Sequence, residues 1–231
     1  SAINQSYSQT ELLIIDDASE DKSRDIIEKY SKNFYKILLL KENHGACIAL
    51  NKILKFCRGD YVAVLNSDDS WQPEKVQLQV DYLEANEEKA AVFSKALVVD
   101  ENGNQINQQD SPFEYSNLNR FDWLRKFFES GNCLCHSSVL LRKSVFSSLG
   151  YYDERFKNLP DFEFWVRFSE KFTFHILPIN LVFYRKCNNR QSESSLSIPN
   201  YNRGLFETEL ILEHYIKLDG IKKYLKEIFN L

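Results

Sequence analysis

The first seventy residues alternate between short apolar runs and amphipathic stretches, and nothing else in the chain constrains its fold as strongly. Glu11-Leu12-Leu13-Ile14-Ile15 is a strand-length run closed by Asp16-Asp17-Ala18-Ser19. Ser19 reads as an N-cap, with Glu20 and Asp21 in the first turn of a helix and Ile26, Ile27 and Tyr30 on its apolar side. Tyr35 to Leu40 reads as a second strand. After the turn Asn43-His44-Gly45, residues 46–57 read as a helix with Ala46, Ala49, Leu50, Ile53, Leu54 and Cys57 facing inward. Gly59 ends it, and Tyr61-Val62-Ala63-Val64-Leu65 follows as a third strand. Strand, helix, strand, helix, strand predicts a parallel sheet with right-handed crossovers.

Downstream, Pro73 suits the first turn of a helix running to about Glu84, and Ala90 to Val99 is a strand. Asp100-Glu101-Asn102-Gly103-Asn104 signals a turn between hairpin strands. Residues 118–128, 143–149 (stopped by Gly150) and 161–169 read as helices, and Ser137 to Leu141 as a strand. Phe172 to Tyr184 is extended and interrupted by Pro178; residues 188–200 form a polar loop. Two helices, 201–218 and 221–229, close the chain, with Leu205, Ile211, Leu212, Tyr215 and Ile216 docking on the core.

With 231 residues, 43% of them hydrophobic and 14% aromatic, the chain suits one large domain, or one domain with an appendage, around a real core. Its 29 basic and 33 acidic side chains leave a formal net charge of −4. That excludes the basic footprint of a nucleic-acid binder, so an anionic ligand must be met locally, by a metal or a few arginines. Runs such as Ile37-Leu38-Leu39-Leu40 are too short to cross a bilayer, and no signal-peptide pattern opens the chain. The five cysteines (Cys47, Cys57, Cys133, Cys135 and Cys187) read as free cytosolic thiols. Cys133-x-Cys135-His136 lacks the spacing and second half-site of a zinc centre. Without methionine, and opening in mid-pattern, the chain is expected to be trimmed or processed.

Three acidic points stand out at or near element ends: Asp17, the pair Asp68-Asp69, and Asp161. Open α/β sheets bind ligands at the carboxyl ends of their strands. Adjacent carboxylates repel, so Asp68 and Asp69 point to a cation or a cation-bound ligand. Plainer roles exist for each acid. Asp17 suits a helix N-terminus, Asp68 and Asp69 suit a turn before Pro73, and Asp161 suits a helical first turn. Trp71 and Trp165 read as packing, His44 and His175 as structural, and His136 is open.

Several segments, in order, resemble family 2 glycosyltransferases of the GT-A fold. They are Asn4-Gln5-Ser6-Tyr7, Glu11 to Ser19, Asn43-His44-Gly45 with Ala49 and Asn51, and Gly59-Asp60-Tyr61 running to Asp69. Trp71-x-Pro73-x-Lys75, Gly150 to Glu154, Asp161-Phe162-Glu163-Phe164-Trp165-x-x-Arg167 and Tyr184-Arg185 continue the series. The resemblance implies a Rossmann-like, mostly parallel central sheet flanked by helices over residues 1–200. Residues up to about 99 would bind nucleotide and about 100–200 the acceptor, with a C-terminal helical extension at 201–231. It implies inverting transfer of a sugar from a nucleoside diphosphate, a UDP-sugar first, to a saccharide or lipid-linked acceptor in surface polysaccharide or glycoconjugate assembly. Asp17, Asn66, Asp68 and Arg185 would contact the nucleotide diphosphate, Asp69 would bind Mn2+ or Mg2+, and Asp161 would act as general base.

The chain departs from the family pattern at Asn66, where an Asp is usual, and at Cys187, where a His is common. It also starts about one element late, so the first family strand is expected to be absent. Two other functions stay open: a sugar nucleotidyltransferase, and a GT-A domain that has lost catalysis and serves as a partner module. The expected location is cytoplasmic, with peripheral contact at the inner face of the membrane as a further option for the C-terminal helices. The oligomeric state is not readable.

Overall fold

The computed structural model describes residues 1–106, 111–186 and 198–217. Seven strands and seven α-helices lie along these residues. A 3-10 turn at Ala2–Asn4 leads into β1 (Leu13–Asp16), α1 (Ser23–Lys29), β2 (Lys36–Leu39), α2 (Ala46–Leu54) and β3 (Tyr61–Ala63). Then come β4 (Ser70–Trp71), α3 (Lys75–Ala85), β5 (Ala91–Val99), α4 (Arg120–Ser130) and β6 (Leu140–Arg142). The last elements are α5 (Ser144–Leu149), α6 (Pro160–Lys171), β7 (Phe174–Arg185) and α7 (Ile198–Lys217).

The α/β class stands, with a mixed sheet. β1 and β2 pair in parallel, Ile14 opposite Ile37. β3 does not join them. It pairs antiparallel with β6 at the edge of a second sheet ordered β3-β6-β5-β7-β4. Its centre is the parallel β5–β7 ladder, which continues from Ala91↔Phe174 to Val99↔Arg185. The expected break at Pro178 is a bulge instead: Leu177 pairs with Ser94 and Asn180 with Lys95, leaving Pro178 and Ile179 outside the regular register. A residue without an N–H fits there because it removes no ladder bond.

Helices cover both faces of β5, which is buried along most of its length. One core cluster gathers aromatic rings from β5, α4 and α6, among them Phe93, Trp123, Phe127, Phe164 and Trp165. Phe93 and Trp165 meet edge to face at 5.0 Å, the arrangement the ring quadrupoles favour. The other cluster packs Val76, Val80 and Leu83 of α3 against Val92, Ala96, Leu140 and Val182. Trp71 and Trp165 are both buried packing residues.

Some local expectations change. α1 begins at Ser23, and Ser19 is not its cap: its N–H donates to Asp16 Oδ1 at 3.2 Å. Of that helix's apolar side only Ile27 is buried; Ile26 is 57% and Tyr30 43% exposed. On α2, Cys47 and Asn51 are buried where Ala46 is exposed. α7 already covers residues 198–200, expected as loop, and of its docking residues Leu205 is exposed while Ile211 and Tyr215 enter the core. Cys187 and the helix expected at 221–229 lie outside the described residues, as does the side chain of Ile216. No described helix is long and apolar enough to cross a membrane.

Candidate active site

The acidic pair sits between β3 and β4. Asn66 accepts a bond from Asp69 N at 3.2 Å, closing a tight turn. Asn66 and Asp68 are exposed, and Asp69 is buried. Asp69 is turned inward by two donors: Ser137 Oγ donates to Oδ2 at 2.5 Å and Arg185 N to Oδ1 at 3.0 Å. Ser137 Oγ also accepts from Asn66 N at 3.2 Å, so one hydroxyl ties both ends of the turn. Burial pushes the Asp69 carboxyl up to about 6, and the charge of Asp68 adds to this against the two hydrogen bonds.

This chemistry fits a hard divalent cation. Two adjacent carboxylates occur with no ion pair to either among the described residues, and a cation would favour the charged form of Asp69. Two of the carboxylate's acceptor positions are used, which leaves others for a metal. Among the described residues no group of three His, Cys, Asp or Glu side chains could hold a metal ion. Asp69 and Asp68 would therefore need phosphate and water oxygens to complete the coordination, as magnesium sites commonly do.

Arg185 ends β7 beside this turn. Its guanidinium donates to backbone carbonyls: Nε to Asp68 at 3.1 Å, and Nη1 to Asp100 at 3.1 Å and Glu101 at 2.7 Å. The side chain thus staples the acidic turn to the turn after β5. Asp17, beyond β1, accepts from His44 N at 3.0 Å and from Gly45 N at 2.7 Å. Gly45 stands at φ 90°, a conformation glycine reaches without strain. In this structure Asp17 caps α2 from outside, while the neighbouring Ala18 holds an uncommon φ of 62°.

Asp161 occupies the first turn of α6, and Asn132 Nδ2 donates to its Oδ2 at 2.7 Å. Close by, His136 Nε2 and the Tyr152 hydroxyl share a hydrogen bond of 2.9 Å. Burial holds the His136 pKa below its usual value, against the pull of the Asp161 charge. The Tyr184 hydroxyl is pushed up to about 12 by burial and by its neighbours, which include Asp69, Asp68 and Asp161. Tyr184 therefore lies in the field of both acidic groups.

One segment connects the two groups. Within residues 132–138, Asn132 holds Asp161, His136 neighbours it, and Ser137 holds Asp69. Its 3-10 turn is fixed through its carbonyls: Trp71 Nε1 donates to Ser137 O at 2.7 Å and Gln79 Nε2 to Ser138 O at 2.7 Å. Lys75 Nζ donates to Val139 O, just beyond, at 3.2 Å. Sequence reasoning singled out the acids and missed Ser137, Asn132 and this strut. Of these only the cluster around His136 gave any signal, and it read as a failed zinc motif. Both thiols of that motif are buried, with Cys133 pushed up to about 11 and Cys135 further.

The site thus joins an acidic turn and a helix-borne carboxylate through one strut beside a mixed sheet. Residues 1–150 match the family described as Glycosyl transferase family 2, and the chain belongs to that family. An uncharacterised glycosyltransferase of Methanocaldococcus jannaschii is 29% identical over 180 residues, covering 77% of this chain and 60% of that protein. Chondroitin synthase of Escherichia coli is 25% identical over 228 residues, 97% of this chain and 31% of that one. Among solved structures, S. aureus TarS 1-349 in complex with UDP-GlcNAc superposes with a TM-score of 0.76 at 18% identity, covering 98% of this chain and 64% of that one. The fold is GT-A. The chain spans less than two thirds of the length of each of these proteins.

Proposed function

We propose that the chain is the catalytic unit of a glycosyltransferase that moves a sugar, with inversion, from a nucleoside diphosphate to a saccharide or lipid-linked acceptor. UDP-sugars are the first donors to test, because TarS carries UDP-GlcNAc on the same fold. Surface polysaccharide or glycoconjugate assembly is the setting, in keeping with the chondroitin synthase relative. The observation that carries the reading is the strut of residues 132–138, which bonds to both Asp69 and Asp161, with Tyr184 in the field of both. A donor diphosphate at Asp68-Asp69 would then place its anomeric carbon toward Asp161.

In this reading residues up to about 99 shape the nucleotide pocket, with Asp17 and Asn66 toward the nucleoside and Asp68 toward the ribose and diphosphate. The later part of the chain meets the acceptor. Asp69 holds Mn2+ or Mg2+; such an ion, when bound, neutralises charge on the departing diphosphate. Arg185 fixes the turn and adds a positive charge beside it. Asp161 takes the proton from the acceptor hydroxyl as that oxygen bonds to the anomeric carbon. The bond from that carbon to the diphosphate oxygen breaks, and its electron pair leaves with the diphosphate. A single in-line displacement inverts the centre.

The test is a panel of UDP-, GDP- and TDP-sugars with manganese and saccharide acceptors. Transfer is expected from one donor class, lost on chelation and regained with manganese. Asp161→Asn is expected to lower kcat by about 10²–10⁴-fold while nucleotide affinity by calorimetry stays unchanged. Nucleotide binding with no transfer from any donor would make the chain a binding module instead.

A further inference from the structure

Glu207 lies on α7, far downstream of the residues the reaction needs, and its side chain is nearly sealed from solvent at 2% exposure. Its carboxylate accepts three backbone N–H bonds: Lys157 to Oε1 at 2.9 Å, and Asn158 and Leu159 to Oε2 at 3.0 and 2.9 Å. Those are the last three N–H groups before Pro160, which has none, and Asp161. Residues 157–159 belong to no helix or strand, so their path is set by what binds them. A buried carboxylate facing three amides makes charge-assisted bonds, and its negative charge at the start of α6 suits that helix's dipole. A second tie runs alongside, from Asn158 Nδ2 to Asn200 O at 2.9 Å. α7 is itself anchored, with Ile211 and Tyr215 buried and the Tyr215 hydroxyl donating to Leu124 O at 2.9 Å.

We infer that Glu207 is the positioning residue for Asp161. Through this carboxylate α7 fixes where α6 begins, and so where the Asp161 carboxylate stands, while Asn132 fixes its direction. The inference rests on Asp161 being the general base. It assigns the C-terminal helix a part in the chemistry. A displacement of about 1 Å at a reacting group can cost on the order of 10²-fold in rate, so the latch is expected to act on turnover and not on donor binding.

The test uses the full chain and three variants, Asp161→Asn, Glu207→Gln and Asn158→Ala. It follows UDP release from UDP-sugars with acceptor, UDP affinity with manganese by calorimetry, and the melting temperature. In Glu207→Gln one carboxylate oxygen becomes an amide N–H that faces backbone N–H groups. The expected result is a kcat about 10- to 100-fold lower, with UDP affinity and donor KM within about twofold of the parent. Asn158→Ala, which leaves the carboxylate in place, is expected to move kcat the same way by less, and it carries the test if Glu207→Gln folds poorly. An unchanged kcat, or a loss of kcat matched by an equal loss of UDP-binding protein, overturns the inference. Turnover that survives Asp161→Asn overturns the base assignment itself, and that outcome is read independently of Glu207.

Discussion

Lys75 carries its amine wholly into the core, where Nζ lies 4.2 Å from the Trp71 ring centroid and donates to Gln79 Oε1 at 2.8 Å. Burial lowers its pKa to about 7. Lys75 therefore makes folding depend on pH. Between about pH 7 and the unfolded lysine value near 10.4, the unfolded chain binds the proton and the folded chain does not, so stability rises with pH across that window. Below about pH 7 both states bind the proton, and the dependence levels off. The buried thiols of Cys47 and Cys133, pushed up to about 12 and about 11, work in the opposite direction, so the comparison must be made against a variant that keeps them. Relative to Lys75→Met, the parent should gain up to about 1.4 kcal/mol per pH unit between roughly pH 7 and 9, read from denaturant melts of both proteins. Parallel stability curves would mean that Lys75 does not change its protonation on folding.

Element by element, the chain was legible where the signal is local. The helices corresponding to α2, α3, α4, α5 and α6, and strands β1, β2 and β5, follow from periodicity and stop residues such as Gly150, at φ 78°. Capping is a subtler local signal. Ser19 looked the part but lies ahead of the helix start, where Asp21 Oδ1 accepts from Ser23 N at 2.9 Å, whereas Asn119 caps α4, accepting from Phe121 N at 2.9 Å and Asp122 N at 3.0 Å. Asn119→Ala should cost about 1 kcal/mol, a drop of about 2–4 °C in melting temperature, and Asn119→Asp should recover most of it. No local pattern announces the pairing of β3 with β6, or the two-residue strand β4 that lies against Val182 and Phe183 of β7. The same limit applies to the site. Asp69 and Asp161 are conspicuous as acids at element ends. Ser137, Asn132 and Glu207 gain their roles only from partners far along the chain, and a serine, an asparagine or a helical glutamate says nothing of that alone.

At the scale of the molecule, two sheets must act as one body around the site. Among the described residues β1 pairs only with β2 and β3 only with β6, so no ladder joins the unit carrying Asp17 to the one carrying Asp69. Leu13, Ile14 and Ile15 are only partly buried, which leaves less apolar area than usual to hold the smaller sheet in place. Glu11 is the polar tie across this join. Its Oε1 accepts from Arg58 N at 2.5 Å and Gly59 N at 3.2 Å, at the turn that enters β3, and Oε2 accepts from Arg58 Nε at 2.8 Å. Arg58 in turn lies 3.5 Å over the Tyr35 ring, beside the start of β2. Burial works to raise the Glu11 pKa, but these hydrogen bonds outweigh it and hold the carboxyl below its usual value. The exposed guanidinium adds little by itself; the two backbone N–H bonds make the tie. Glu11→Ala should therefore loosen the smaller sheet more than it unfolds the protein. Amides of β1 and β2 should exchange with deuterium about 5- to 30-fold faster, as expected for losing roughly 1–2 kcal/mol of local stability, while those of β5 and β7 keep their protection. Equal acceleration across both sheets would show instead that the two units open only together, and that packing by α2, not Glu11, holds the unit carrying Asp17 to the one carrying Asp69.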